Sequence, residues 1–265
     1  ALVPGLKEMV TAIKAAGAKT AIQLMHGGRR TRADSCLEQP VAPSPIATVN
    51  GEKPRALRID EIEALPETYG RAARRAVEAG FDAVEVHMAH GYLLNQFISP
   101  VSNHRTDQYG GSLENRLRLP LAVLRRVREV VGPDYPVFVR ISSDEFVEGG
   151  MRLADWQKAA PILVENGADV IDVSSGIPES TAISGSGLLH VPARTQPGYM
   201  LHLAEGIKKA VAAPVMAVGR IHRPELAEQA LAEGKADLIG VARALLADAE
   251  WAKKAAEGRA SDIIM

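Results

Sequence analysis

The sequence has 265 residues, of which 46% are hydrophobic and 24% charged, with 31 Lys and Arg against 32 Asp and Glu. That length fits one large α/β domain of about 250 residues or two small ones. No apolar run approaches the ~20 residues of a membrane helix, and the balanced charge leaves no basic surplus to draw in nucleic acid or anionic lipid. Aromatic residues amount to only 4%, too few for a base-stacking platform. The single cysteine, Cys36, excludes an internal disulfide and a cysteine-built metal site, and it suits a reducing, cytoplasmic compartment.

The chain opens at Ala1 in helix-like sequence and is organised by a recurring joint, in which a helix ends at Gly and a short apolar strand begins. The joints read AAGAKTAIQL (15–24), EAGFDAVEVH (78–87), ENGADVIDVS (165–174) and AEGKADLIGV (232–241). Two further strands, PVFVRIS (136–142) and APVMAVGR (213–220), are each introduced by Pro. The six strands alternate with helices expected over 3–16, 60–79, 113–131, 153–166, 199–212 and 223–233. Such alternation predicts a parallel sheet with helices outside, read as a single domain. For helix 60–79, Asp60 and Glu63 predict the N-terminal cap, and Pro66 predicts a kink or a later start. The stretch from His26 to Leu57, with Pro40, Pro43, Pro45 and Pro54, shows no periodicity and is longer than loops usually are without a function. A closed barrel needs eight strands at about 30 residues per unit. Six visible units therefore mean a smaller open sheet or a barrel with two units absent.

In parallel α/β folds ligands bind at the carboxyl ends of the strands, and the polar residues collect there. In EVHMAHGY (85–92), His87 and His90 are spaced to share one face of a turn, with Tyr92 directly after. A metal reading lacks a third ligand at characteristic spacing, and a merely satisfied polar loop is the plain alternative. The third reading is an oxyanion-type site, with two imidazoles holding a carbonyl oxygen and a neutral tyrosine as general acid. VGR (218–220) and VAR (241–243) place Gly219, Arg220, Ala242 and Arg243 just beyond the last two strands, where barrels commonly bind phosphate. Arg140 ends an apolar strand on the same face as Phe138 and Ser142. Its partner is either Glu85 on the neighbouring strand or an electron-rich ligand ring, and spacing does not separate the two. In SNHRTDQYGGSLENR (102–116), Arg105, Asp107, Glu114 and Arg116 are expected to pin a long loop. Cys36, His104, His202 and His222 lack companions, whereas His190 falls in the loop after the fourth strand as a candidate substrate contact.

AIQLMHGGR (21–29), VEVHMAHGYLLNQFISPVSNHRTDQYGGSLENR (84–116), FVRIS (138–142), VGR and VAR together resemble the old yellow enzyme family of FMN-dependent oxidoreductases. The likeness is greatest to its 2,4-dienoyl-CoA reductase-like and NADH:flavin oxidoreductase branches. The resemblance implies a TIM (β/α)8-type barrel, with residues 1–265 forming one FMN-binding domain that lacks the first two strand units of an otherwise longer protein. It further implies that Gln23 and Arg140 contact the flavin pyrimidine edge, that Gly219, Arg220, Ala242 and Arg243 hold its phosphate, and that His87, His90 and His190 meet substrate. Tyr92 becomes the proton donor to an α,β-unsaturated carbonyl or enoyl thioester, and NAD(P)H the reductant. No resident metal is implied. An iron–sulfur cluster would belong to the longer parent and not to this chain, and a homo-oligomer is compatible with the same features. Two other readings remain: a non-redox phosphate-binding barrel of the aldolase or isomerase type, opposed by the lack of a strand-end Lys, and a non-catalytic fragment.

Overall fold

The recurring joints fold as their glycines predict. Gly17, Gly80, Gly167 and Gly234 all take positive φ, between 68° and 107°, where a side chain is disfavoured. The structure is a computed structural model that describes residues 2–48, 51–180 and 195–264. In chain order it runs α1 (Val3–Ala15), β1 (Ala21–Leu24), a 3-10 turn (Gly28–Arg30), α2 (Ala33–Cys36), β2 (Val41–Ala42), β3 (Arg55–Ala56), α3 (Ile59–Ala79), β4 (Ala83–Met88) and α4 (Leu93–Ile98). There follow α5 (Leu113–Val131), β5 (Val137–Ser142), α6 (Leu153–Glu165), β6 (Val170–Ser174), α7 (Leu201–Lys208), β7 (Val215–Ala217), α8 (Pro224–Ala232), β8 (Leu238–Ile239), α9 (Arg243–Ala247) and α10 (Trp251–Ala256).

Six strands form one parallel sheet in the order β1-β4-β5-β6-β7-β8. With a helix after each of the first five, they are consecutive staves of a TIM-type barrel. Among the described residues no strand joins β8 back to β1. Strand alternation sorts the side chains. Val84, Val86 and Met88 of β4, Val137, Val139 and Ile141 of β5, and Ile171 and Val173 of β6 are fully buried. They share one core with Ile62, Tyr69 and Ala73 of α3, Leu117, Leu124 and Val127 of α5, and Trp156 and Leu163 of α6. The intervening positions, Glu85, His87, Arg140, Asp172 and Ser174, point to the opposite face.

The end of the sheet away from these groups is clasped by a repeated aspartate. Asp82, Asp169 and Asp237 each stand directly before a strand, and each accepts from the first backbone N–H of the preceding neighbour strand or the residue before it. Thr20 donates to Asp82 at 2.9 Å, Val137 to Asp169 at 2.7 Å and Val215 to Asp237 at 2.9 Å. Each also pairs with a base from the helix before that neighbour, namely Lys14 of α1, Arg128 of α5 and Lys208 of α7. One motif thus neutralises an otherwise unpaired amide and fixes strand register at every second step of the sheet.

Two local expectations need correction. Helix α3 starts at Ile59 and runs unbroken through Pro66, and its cap is made by Glu61, which accepts from the Arg58 backbone N–H at 2.8 Å. Asp60 lies in the first turn and pairs with Arg58 instead. The stretch from His26 to Leu57 is not structureless. It holds the 3-10 turn, α2 and the parallel pair β2–β3, and Arg105 staples it by donating to the Pro43 and Leu57 carbonyls at 3.0 and 2.8 Å. Arg105 also pairs with Asp107, and Arg116 donates to the Ile98 carbonyl at 2.7 Å, so the 102–116 segment does pin its surroundings.

Asp82 has its carboxyl held below the usual carboxylate range, first by the Lys14 hydrogen bond and then by the Thr20 amide. A depressed carboxyl stabilises the fold above its unfolded pKa and loses that contribution as acid protonates it. Asp82→Asn is therefore expected to unfold at a lower temperature than the parent at pH 7, with the gap closing as pH falls below 4. Thermal denaturation across pH measures it, and a gap that widens in acid would contradict the clasp.

Candidate active site

Parallel pairing sets the inner face. Gln23 lies opposite Glu85, His87 opposite Arg140, and Arg140 opposite Asp172, so four neighbouring strands deliver one polar row. Gln23 Nε2 donates to Glu85 Oε1, and Arg140 Nη1 sits 3.4 Å from Asp172 Oδ2. Arg140 thus finds a carboxylate on β6 rather than Glu85. The signal in the sequence was Asp172 lying two residues before Ser174, in phase with the inner face. Among the described residues, Arg140 Nε remains buried without a partner.

The turn after β4 carries the second group. His90 takes φ +60°, a conformation a β-carbon disfavours, and two serines at paired positions on β5 and β6 hold it there. The His90 backbone N–H donates to Ser142 Oγ at 2.8 Å, and its Nε2 lies 2.7 Å from Ser174 Oγ. His90 Nδ1 lies 3.3 Å from His87 Nε2, so both rings face one space. The next residue, Gly91, has φ +72°, and a β-carbon there would fall 2.5 Å from Pro178 Cδ. Its N–H is received by Asn95 Oδ1 at 2.6 Å, and Asn95 is bound in turn by the buried Glu145. Tyr92 follows as the residue before α4, with its ring edge-on to His87 at 5.2 Å. Arg30 lies over the Tyr92 ring at 4.3 Å and donates to the His90 carbonyl at 2.7 Å. Sequence reasoning passed over Arg30, although it is the second arginine of the HGGRR run after the first strand.

A cavity of 620 Å³ joins these groups to the ends of β7 and β8. Its walls include Arg30, His90, Tyr92, Arg140 and Asp172 at one side, and Gly219, Arg220, Ala242 and Arg243 at the other. His87 is buried behind His90, and Gln23 is exposed at the sheet edge; neither lines the cavity. His190 lies outside the described residues. Gly219 has φ +116°, and a β-carbon there would meet Met200 Cε at 2.8 Å, so only glycine lets this backbone lie against the cavity wall. Among the described residues, the backbone N–H groups of Gly219, Arg220 and Ala242 meet no protein acceptor.

The sequence profile of the NADH:flavin oxidoreductase / NADH oxidase family matches residues 2–262, and the chain belongs to that family. It is 48% identical over 261 residues to the NADH oxidase of Thermoanaerobacter brockii, covering 98% of this chain and 39% of that protein. Among solved structures it is similar to a 2-naphthoyl-CoA reductase in complex with 2-naphthoyl-CoA, with TM-score 0.93 and 34% identity over 99% of this chain and 41% of that one. The old yellow enzyme homologue from Zymomonas mobilis aligns with TM-score 0.80 and 29% identity, covering 97% of this chain and 72% of the other. The chain thus spans about two-fifths of the first two proteins' length.

The donor set fits FMN. A planar ring with carbonyl acceptors suits Arg140 Nε, which among the described residues has no partner, and a phosphate suits the Arg220 and Arg243 side chains beside the Gly219, Arg220 and Ala242 backbone N–H groups.

His87 has its pKa lowered to about 3, chiefly by burial and then by the Arg140 and Arg30 cations. The ring is therefore a neutral imidazole at physiological pH, able to donate from one nitrogen only. Nitrogen-15 NMR should find His87 unprotonated down to pH 5, and titration near 6.5 would contradict this assignment.

Proposed function

We propose that this chain is the catalytic barrel of an FMN-dependent NAD(P)H oxidoreductase, which reduces the activated C=C bond of an α,β-unsaturated carbonyl or enoyl thioester. The observation that carries the reading is the convergence of His87, His90 and Tyr92, of which His90 and Tyr92 line with Arg140 a cavity whose far end presents Arg220 and Arg243. Gln23 and Arg140 would hold the pyrimidine edge of the ring, and Gly219, Arg220, Ala242 and Arg243 the phosphate. When bound, FMN takes reducing equivalents from NAD(P)H and passes them to the alkene.

The chain's own residues supply polarisation and a proton. His87 Nε2 and His90 Nδ1, 3.3 Å apart, bracket a position where one carbonyl oxygen can accept from both. That requires the His90 proton on Nδ1, and a hydroxyl proton from Ser174 Oγ to Nε2 selects that tautomer. Withdrawal of electrons through the carbonyl makes the β carbon electrophilic. Tyr92 Oη gives its proton to the α carbon as the bond is saturated, and the Arg30 cation over its ring stabilises the phenolate left behind. The phenolate then recovers a proton from solvent.

Tyr92→Phe is expected to leave reduction of the enzyme by NAD(P)H intact while slowing alkene reduction by about 10²–10⁴-fold. Stopped-flow measurement of the two half-reactions reads both, and equal loss in each would remove Tyr92 from the role of proton donor. Ser174→Ala is expected to raise KM for the alkene about 3- to 10-fold, the worth of one neutral hydrogen bond, with the NAD(P)H half-reaction little changed. An unchanged KM would separate Ser174 from carbonyl binding.

A further inference from the structure

One group on the inner face is not used by this chemistry. Asp172 is 1% exposed, and among the described residues the one cation paired with it is Arg140, at a loose 3.4 Å from Oδ2. Its other oxygen, Oδ1, is buried with no donor among the described residues. The group that faces it from β4 is a second carboxyl, Glu85, whose Oε1 accepts from Gln23 Nε2. From β7 the paired residue is Met216, which brings neither charge nor proton. The other inward ionisable group of β4, His87, is neutral. Two carboxylates that face each other without a donor between them can form a hydrogen bond only when one carries a proton. One arginine, itself partly exposed, cannot neutralise both, and the charge of the buried Asp172 would be incompletely answered.

We propose that Glu85 and Asp172 form a proton-accepting pair, which binds one proton from solvent when the adjacent cofactor gains negative charge and releases it when that charge leaves. The inference rests on the FMN reading, since Gln23 and Arg140 touch the pair on one side and would touch the ring on the other. Hydride from NAD(P)H would carry two electrons and one hydrogen into the site and leave added negative charge beside Arg140. Arg140 would then divide its charge between that site and Asp172, so the pair's own negative charge would be less well compensated. A water-derived proton would form one O–H bond in the pair, with no other bond changed there. Once the alkene had taken the hydride, the pair would return the proton to solvent.

Burial pushes the Asp172 carboxyl up to about 7, with Arg140 opposing and Glu85 assisting. The sign follows from that position. Where Asp172 already holds a proton, reduction adds none; as pH rises and Asp172 ionises, reduction would draw in one proton beyond that carried by the hydride.

Two measurements test this on the full chain. In flavin-free protein with carbon-13-labelled Asp and Glu carboxyls, NMR should find one carboxyl titrating near neutrality in the parent and none in Asp172→Asn. In FMN-loaded protein, the midpoint potential between pH 7 and 9 should fall more steeply for the parent than for Asp172→Asn by one proton per two electrons, about 30 mV per pH unit. Carboxyls that all titrate in the ordinary range, or equal slopes in parent and variant, overturn the proposal. Should Asp172→Asn fail to fold, Glu85→Gln is measured in its place with the same expected outcomes. Failure to bind FMN would refute the functional reading and the coupling with it, whereas the shared proton is read independently by the first measurement.

Discussion

Arg140 imposes the constraint from which the rest of the site follows. A guanidinium does not lose its charge in a protein, and here it is carried on the inner face of a sheet whose outer face is valine and isoleucine. Asp172 answers that charge incompletely, and among the described residues one donor nitrogen, Nε, has no partner. The same cation, after burial itself, suppresses protonation of His87 on the neighbouring strand. A single arginine therefore provides an anion-seeking wall for the cavity, keeps the adjacent imidazole neutral, and sets the charge balance of the carboxyls beside it. Stability enters as well, because removing the Arg140 cation leaves the buried Asp172 carboxylate uncompensated.

The two ends of the sheet divide the work. At the amino ends Asp82, Asp169 and Asp237 fix register with backbone amides and helix-borne bases. At the carboxyl ends two non-glycine residues, His90 and Arg220, take positive φ, each beside a glycine that does the same, Gly91 and Gly219. Such strain persists only when its surroundings over-determine it. Ser142, Ser174, Asn95 and Glu145 do this for the His90–Tyr92 turn, and Met200 packs against the Gly219 segment.

Much of this was legible in the sequence because it rests on local rules. Gly at each helix end followed by a β-branched run marks a helix-to-strand joint, and all four such joints fold that way. His87, His90 and Tyr92 are close in sequence, so their convergence needed only one turn. Contacts across strands were less accessible. The choice between Glu85 and a ligand as the partner of Arg140 had a third answer, Asp172, because register decides which inner-face residues meet. The repeated aspartate was present in three of the joints, yet its purpose became visible only when each proved to face the amide that opens the neighbouring strand. Arg30 escaped notice because a second arginine after HGG carries no spacing signal; only the fold brings it over Tyr92. The start of α3 moved by one residue because Glu61 competes better than Glu63 for the entering backbone N–H.

The claim on which the others rest is that the Arg140 cavity is a flavin site which hands electrons from a nicotinamide to an alkene. Visible absorbance of the purified protein tests it most directly. A flavin spectrum that bleaches on anaerobic addition of NAD(P)H and returns on addition of an enone is the predicted result. A colourless protein that takes up no FMN and consumes no NAD(P)H would contradict it.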